Sequence, residues 1–477
     1  MRVQGAVIER AGSPSTRLFL LVVAASVFVT TLTGSMVNVV LPIIRAELGA
    51  SAAHIGWIVT GYALAYAIGV PIYGRVSDVW GVRRVFVVGL IGFIAGGLIC
   101  VLAPNLLVLV IGRTVQGIGG AAVPALASVA VAKVLPPGKR GSALGLVAST
   151  VGIGSSVGPI IGGTAGQFFG WRALFAGSLV LMLLVIPFAQ RVLPSGDFTT
   201  ERRFDLLGGI LLGLGAGLFL FGITQGQAAG FATFSSWGSF LGAALATTGF
   251  VWRINRAPHP FVPPALFINR AYVAAMLVGS GTSLAYLSAL VIVPLLLIEV
   301  NRLAPSAAGL VLLPAAVAQA LLSAVAGRLS DRVGVRPLIV AGLLIMVLAT
   351  LFISTFVGAS PLLIALGVGG LGVGSACIQS PNNNAAANAL PPDAVGGGMG
   401  LFVGASFLGA ATGPALSGAF LAARQEAGST ALNPLYAFDA APFSDSFLAL
   451  TLALLIALVA AAGLWSNVER DKQARRA

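Results

Sequence analysis

Arg113 stands deep inside a long apolar run, three positions before Gln116. On a helix those two side chains share a face, so a permanent cation and an amide are presented together. A charge at that depth costs about 2.5–3.5 kcal/mol on membrane-insertion scales, so it normally faces a partner or a polar cavity. A long side chain that snorkels to the boundary is the plainer reading, and both stand at this point. Further polar groups interrupt other apolar runs: Asn38, Tyr62, Tyr66, Tyr286, Gln319, Gln379, Asn382, Asn383 and Asn384. Singly, each is more often an interhelical hydrogen bond than a ligand contact. As a set they sketch a polar lining, for which the candidates are Asn38, Tyr62, Tyr66, Arg113, Gln116, Tyr286, Gln319, Gln379 and Asn383.

The carboxylates read differently. All 14 Asp and Glu residues lie outside the middle of an apolar run. Proton-coupled membrane chemistry usually needs a carboxylate within the membrane to load and release the proton. Glu299, at the end of a run, is the nearest approach. It is either a desolvated proton site or a solvated partner of Arg302. His54 and His259 fall in expected loops, and Cys100 and Cys377 sit alone in apolar surroundings, so neither type forms a metal pattern or a disulfide framework. No nucleotide loop or nucleophile–base arrangement is present, and an enzyme is not expected.

The elements that must position these groups follow from composition. Of 477 residues, 57% are hydrophobic and only 9% charged, against about 25% charged in a soluble chain. Lipid is the solvent such a surface requires. The 62 glycines suit helices that approach closely in lipid. Fourteen apolar runs are long enough to span. With the N-terminus inside, only Arg45, Arg172, Arg302 and Arg424 of the 27 basic residues fall on outward segments, which fits the positive-inside rule with both termini cytoplasmic. The net charge of +13 therefore reports topology, and nucleic acid is not an expected partner. The first run continues to Pro42 without a small-residue cleavage site and reads as a retained span.

An internal repeat orders these spans. Gly74-Arg75, Ser77-Asp78, Gly81-Val82 and Arg83 recur at one offset as Gly327-Arg328, Ser330-Asp331, Gly334-Val335 and Arg336. Gly158-Pro159 echoes Gly413-Pro414, and Gly117 with Gly119 echoes Gly372 with Gly374. The expected fold is all-α: two six-helix bundles, residues 1–190 and 271–477, with two inserted spans over 191–270. Parallel halves around a central substrate site are a transporter architecture.

These residues resemble the major facilitator superfamily, whose loop motif G-x-x-x-D-R-x-G-R-R appears twice. Further matches are Asn38 to Pro42, Arg113-x-x-Gln116-Gly117, Pro124-Ala125-Leu126, Gly158-Pro159-x-Ile161-Gly162-Gly163, Pro260-Phe261-Val262 and Gly398-Met399. Within it the chain is most similar to the fourteen-helix drug exporters, tetracycline efflux proteins of Gram-positive bacteria above all. The resemblance implies a bacterial cytoplasmic-membrane monomer that moves a small molecule by alternating access, coupled to a proton or sodium gradient and needing no cofactor. It implies that Gly74, Asp78, Arg83, Arg84, Asp331 and Arg332 latch the conformation, that Arg113 handles protons or substrate, and that Gly154, Gly158, Pro159, Gly162 and Gly163 form a bend and a tight interface. A pure topology signal is the simpler reading of the loops, and ordinary small-residue packing of the glycines. In the first loop Gly74 and Gly81 allow a tight turn, Asp78 complements the start of the following helix, and Arg83 and Arg84 can pair with it or with the inner leaflet; Val79 replaces the motif's Arg there. The related exporters' acids in spans 1, 5 and 13 correspond to Gly34, Ser155 and Ala410 here. That departure favours an anionic or neutral amphipathic substrate. It leaves open an exporter, an ion-uncoupled facilitator or lipid-like flippase, and a membrane sensor that no longer transports.

Overall fold

A computed structural model describes residues 14–50, 55–194, 205–258, 260–303, 305–391, 394–428 and 430–465. His54 and His259 lie outside them. The described residues are helical, with no strand. In chain order the helices are α1 (Pro14–Leu48), α2 (Trp57–Trp80), α3 (Val82–Val101), α4 (Leu106–Val134), α5 (Pro137–Phe169), α6 (Trp171–Val192), α7 (Leu206–Ala229) and α8 (Phe234–Arg256). There follow α9 (Ala265–Ile268), α10 (Arg270–Glu299), α11 (Pro305–Val311), α12 (Leu313–Val333), α13 (Val335–Phe356), α14 (Pro361–Asn388), α15 (Val395–Ala427) and α16 (Ala441–Ala461), with a 3-10 turn at Ala462–Trp465.

Among the described residues twelve helices are long and apolar enough to cross a membrane, α11 and α12 counting together. The sequence count of fourteen spans is therefore not supported, nor is an inserted pair of spans. α7 qualifies, but α8 does not, because Ser235, Ser236, Ser239, Thr247, Thr248, Arg253, Asn255 and Arg256 dilute its apolar length. α5 also falls outside the twelve, with Lys139, Arg140 and many Gly and Ser residues along it.

The chain forms two compact units, Met1–Pro264 with Leu390–Gly404, and Ala265–Ala389 with Ala405–Ala477. α7 and α8 thus pack in the first unit, and α15 changes unit part-way along its length. A core of the first unit gathers Leu32, Met36, Val40 and Ile44 of α1, Ile58 of α2, Cys100 of α3, Leu109 of α4 and Trp171, Leu174 and Phe175 of α6. In the second, Ile339, Leu343, Met346 and Ile353 of α13, Ile364, Leu371 and Ile378 of α14 and Phe447 and Leu454 of α16 are buried.

Each unit uses its repeated glycines in the same way. A Cβ on Gly117 would meet Tyr62 of α2, and one on Gly372 would meet Ala315 of α12. Gly119 abuts Phe93 of α3, and Gly374 abuts Met346 of α13. The repeated loops also share their bonding. Ser77 Oγ donates to Gly74 O at 2.7 Å and Ser330 Oγ to Gly327 O at 2.8 Å. Gly81 and Gly334 then turn the chain at φ +81° and +91°, where a Cβ would be strained.

Candidate functional site

Asp78 of the first repeated segment contacts the start of α15. α15 opens with Val395-Gly396-Gly397-Gly398, and Gly398 N–H donates to Ala394 O at 2.8 Å. The first amides of a helix lack an acceptor within it, so those of Gly396 and Gly397 need an outside one. Ala394, at the cap position, has no side-chain oxygen. Asp78, in the last turn of α2, supplies one: its Oδ1 accepts from Gly396 N at 3.0 Å and its Oδ2 from Gly397 N at 2.8 Å. A carboxylate at a helix N-terminus gains from the macrodipole as well as the bonds. Lys133 Nζ at 3.3 Å and Arg75 Nη1 at 3.8 Å complete its surroundings, and the side chain is 2% exposed.

This revises the sequence reading in three respects. The helix end that Asp78 complements belongs to α15, not to α3. Its cations are Lys133 and Arg75, whereas Arg83 Nε donates to Leu193 O at 2.7 Å and Arg84 is exposed with other company. Gly74 is not a turn residue but lies within α2, where an added Cβ would strike Gly396 O and come 2.6 Å from Gly400 Cα. The two backbones touch, and only glycine on both sides permits it. In the second copy Asp331 is half-buried with partners of its own, and Arg332 is exposed.

Arg113 is 1% exposed, so it does not snorkel. Its Nη1 donates to Gln116 Oε1 at 2.7 Å and its Nε to Ile58 O at 3.4 Å. The guanidinium lies 4.1 Å over the Tyr62 ring and 5.9 Å from that of Phe175, and Tyr62 stacks on Tyr66 with centroids 5.7 Å apart. A buried cation is normally paired with an acid. Here it has an amide, a carbonyl and aromatic faces, and among the described residues no carboxylate forms an ion pair with it. The neighbouring Gln116 Nε2 is fully buried and lacks an acceptor.

The model for the major facilitator superfamily matches residues 23–203 and 271–476. The chain belongs to that superfamily. A multidrug resistance protein, Stp, of Mycobacterium tuberculosis is 29% identical over 85% of this chain and 76% of its own. The lincomycin resistance protein LmrB of Listeria monocytogenes is 29% identical over 79% of this chain and 80% of its own. Among solved structures the fold is similar to that of the human organic anion transporter MFSD10, with a TM-score of 0.67 at 16% identity over 94% and 99% of the two chains. The chain is therefore a multi-pass membrane transporter and not an enzyme.

The other expected lining residues of this transporter are spread over both units. In the first, Asn38 on α1 is exposed. In the second, Tyr286 on α10 and Gln319 on α12 are buried, while Gln379 and Asn383 on α14 are half-buried, Asn383 Nδ2 donating to Gln379 O at 2.9 Å. Asn382 Nδ2 donates across to Ala275 O at 2.9 Å, leaving its buried Oδ1 without a donor. α5 runs unbroken from Pro137 to Phe169. Its Gly154, Gly158 and Gly162 face Thr31, Ser35 and Met36 of α1, whereas Gly163 has Val39 at an ordinary 3.6 Å. The side chain of Pro159 is outside those described. Glu299 is exposed and accepts from Gln425 Nε2 at 3.5 Å, and it forms no ion pair with Arg302.

Sequence reasoning singled out Asp78 but missed two further buried carboxylates, because each lies near a helix end. Besides Asp78, Asp205 caps α7 at Gly208 N and receives Arg253 Nε, both at 3.1 Å. Asp445 is wholly buried near the start of α16, where it accepts from Arg424 Nε and Leu432 N, both at 2.7 Å. Short side chains before a helix were the available signal for Asp205. Asp445 needs a loop geometry that spacing does not encode. Among the described residues no His, Cys, Asp and Glu cluster could hold a metal ion.

Proposed function

We propose that this transporter exports a lipophilic or amphipathic small molecule, neutral or anionic, by alternating access in a bacterial cytoplasmic membrane. The observation that carries the reading is the Asp78 clasp on the first amides of α15. It is a compact polar contact of one carboxylate with two backbone amides, and it can open and reform without repacking a core. Most of α15 beyond Gly404 packs in the second unit, so the clasp holds one end of a helix that serves both. The relatives named for multidrug and lincomycin resistance support export of a drug-like compound, and Arg113 without an acid supports an anionic or neutral one. We further propose fourteen spans with both termini cytoplasmic, in the manner of the fourteen-helix tetracycline exporters. Helices α5 and α8, of 33 and 23 residues, have the length to supply the last two.

The test is compound accumulation in a bacterial host stripped of its own exporters, with and without an uncoupler. Lower accumulation that returns to the empty-vector level on uncoupling or in Arg113→Ala supports coupled export. Equal accumulation with and without the protein across lipophilic compounds refutes it. One observation favours a second reading, an ion-uncoupled facilitator or lipid-like flippase: Glu299 is solvated, and Asp78, Asp205 and Asp445 are each engaged by a cation and an amide. Acidification accompanying substrate flux in proteoliposomes would exclude that reading.

A further inference from the structure

A groove of about 260 Å³ lies in the second unit, where the start of α10 meets the end of α16 and the 3-10 turn. Its walls include Phe267 and Ile268 of the short helix α9, Val273 and Leu277 of α10 and Ala460 of α16. Phe267, Leu277 and Ile268 are exposed, the last by 81%. Arg270 stands in the same groove, is exposed, and forms no ion pair among the described residues. Beside it, Asn269 Nδ2 already donates to Ala389 O at 2.9 Å, so the side-chain donors left here are those of the guanidinium.

An apolar trough ending in one unpaired cation asks for a ligand with an apolar tail and an anionic head. Water does not suit the trough, and a free inorganic anion would leave Ile268 and Leu277 uncovered. Arg270 is the first residue of a candidate span, so the cation is at the depth of headgroups and the trough at the depth of acyl chains. We infer that this groove binds one anionic glycerophospholipid, with its phosphate on Arg270 and an acyl chain along Phe267, Val273 and Leu277. A phosphate and a guanidinium make a charge-assisted, forked pair. A lipid there also covers α9, which has only one turn and cannot bury its own apolar face.

The test uses the purified full-length protein titrated with dioleoylphosphatidylglycerol and, separately, dioleoylphosphatidylcholine, with lipid occupancy read by native mass spectrometry. One cation near an anionic headgroup predicts about fivefold tighter binding of the glycerol lipid. Arg270→Gln should bring the two lipids level, Arg270→Lys should keep most of the preference, and Val273→Trp should weaken both by filling the trough. Equal affinities in the unaltered protein, or a preference that survives Arg270→Gln, overturns the inference. So does a dimer that Val273→Trp turns into monomer, since the groove would then belong to a second copy. Because binding is read without flux, failure here is distinct from failure of the export proposal.

Discussion

Replacing Asp78 by Asn keeps the shape of the clasp and removes its charge. One amide oxygen can still accept from Gly396 or Gly397, but the other position becomes an NH2 group that faces an N–H. The loss is therefore one charge-assisted bond of about 1.5–3 kcal/mol, with part of the cost of an orphaned buried amide. Lys133 is one-third exposed and adds less than about 1 kcal/mol. Together these weaken the clasped state by about 2–4 kcal/mol, or roughly 30- to 1,000-fold in its population. Hydrogen exchange of the peptide spanning Ala394–Gly400 reads this directly, because the Gly396 and Gly397 amides have no protection within their own helix. Exchange there should accelerate within that range while peptides from α3 and α13 stay unchanged. Turnover should fall more than apparent substrate affinity. Exchange unchanged within about threefold, or a pure affinity loss, refutes the clasp.

Arg113→Ala is expected to abolish transport with expression intact, and Arg113→Lys to lose at least about tenfold in turnover, since an ammonium cannot both stack on Tyr62 and reach Gln116 and Ile58; a flux assay on each decides. Gly158→Val should lower the melting temperature by overpacking α1, at about 1–3 kcal/mol, whereas Gly163→Ala should leave it unchanged, as measured by a thermal-shift assay on detergent-purified protein. Arg424→Ala leaves Asp445 buried and unpaired, at a cost of about 3–5 kcal/mol, so it should be among the least stable single variants by the same measurement. Glu299→Gln should alter flux less than twofold at any pH from 6 to 8, and a larger effect would return that carboxylate to the coupling machinery.

The sequence made the helices legible because lipid imposes a long apolar run on each, and the repeat legible because both copies keep Ser and Gly at one offset. What it hid has a common cause. The partners of Asp78 are glycine amides, and a backbone group carries no residue type to recognise. Gly74 suggests a turn in sequence, yet serves as a contact, because both uses demand the same missing Cβ. Arg113 was conspicuous by charge, but its companions are aromatic faces and a carbonyl, so no matching acid could point to them. The fourteen runs and the twelve long apolar helices differ where polarity is graded: Ser239 and Thr248 of α8 donate to carbonyls of their own helix, Thr248 to Ala244 O at 2.8 Å, and so sit in an apolar run without breaking it.

The glycine face of α15 has a genetic consequence. A contact between two side chains can drift, because a change on one partner is repaired by a change on the other. Here one partner is main chain, which no codon alters. A lesion at Asp78 thus has no reciprocal repair among Gly396, Gly397 and Gly400. Suppressors would have to arise at flanking positions such as Arg75 or Lys133, or by loosening whatever state opposes the clasp. The clasp is in this sense a fixed point about which the remainder of the chain is free to diverge.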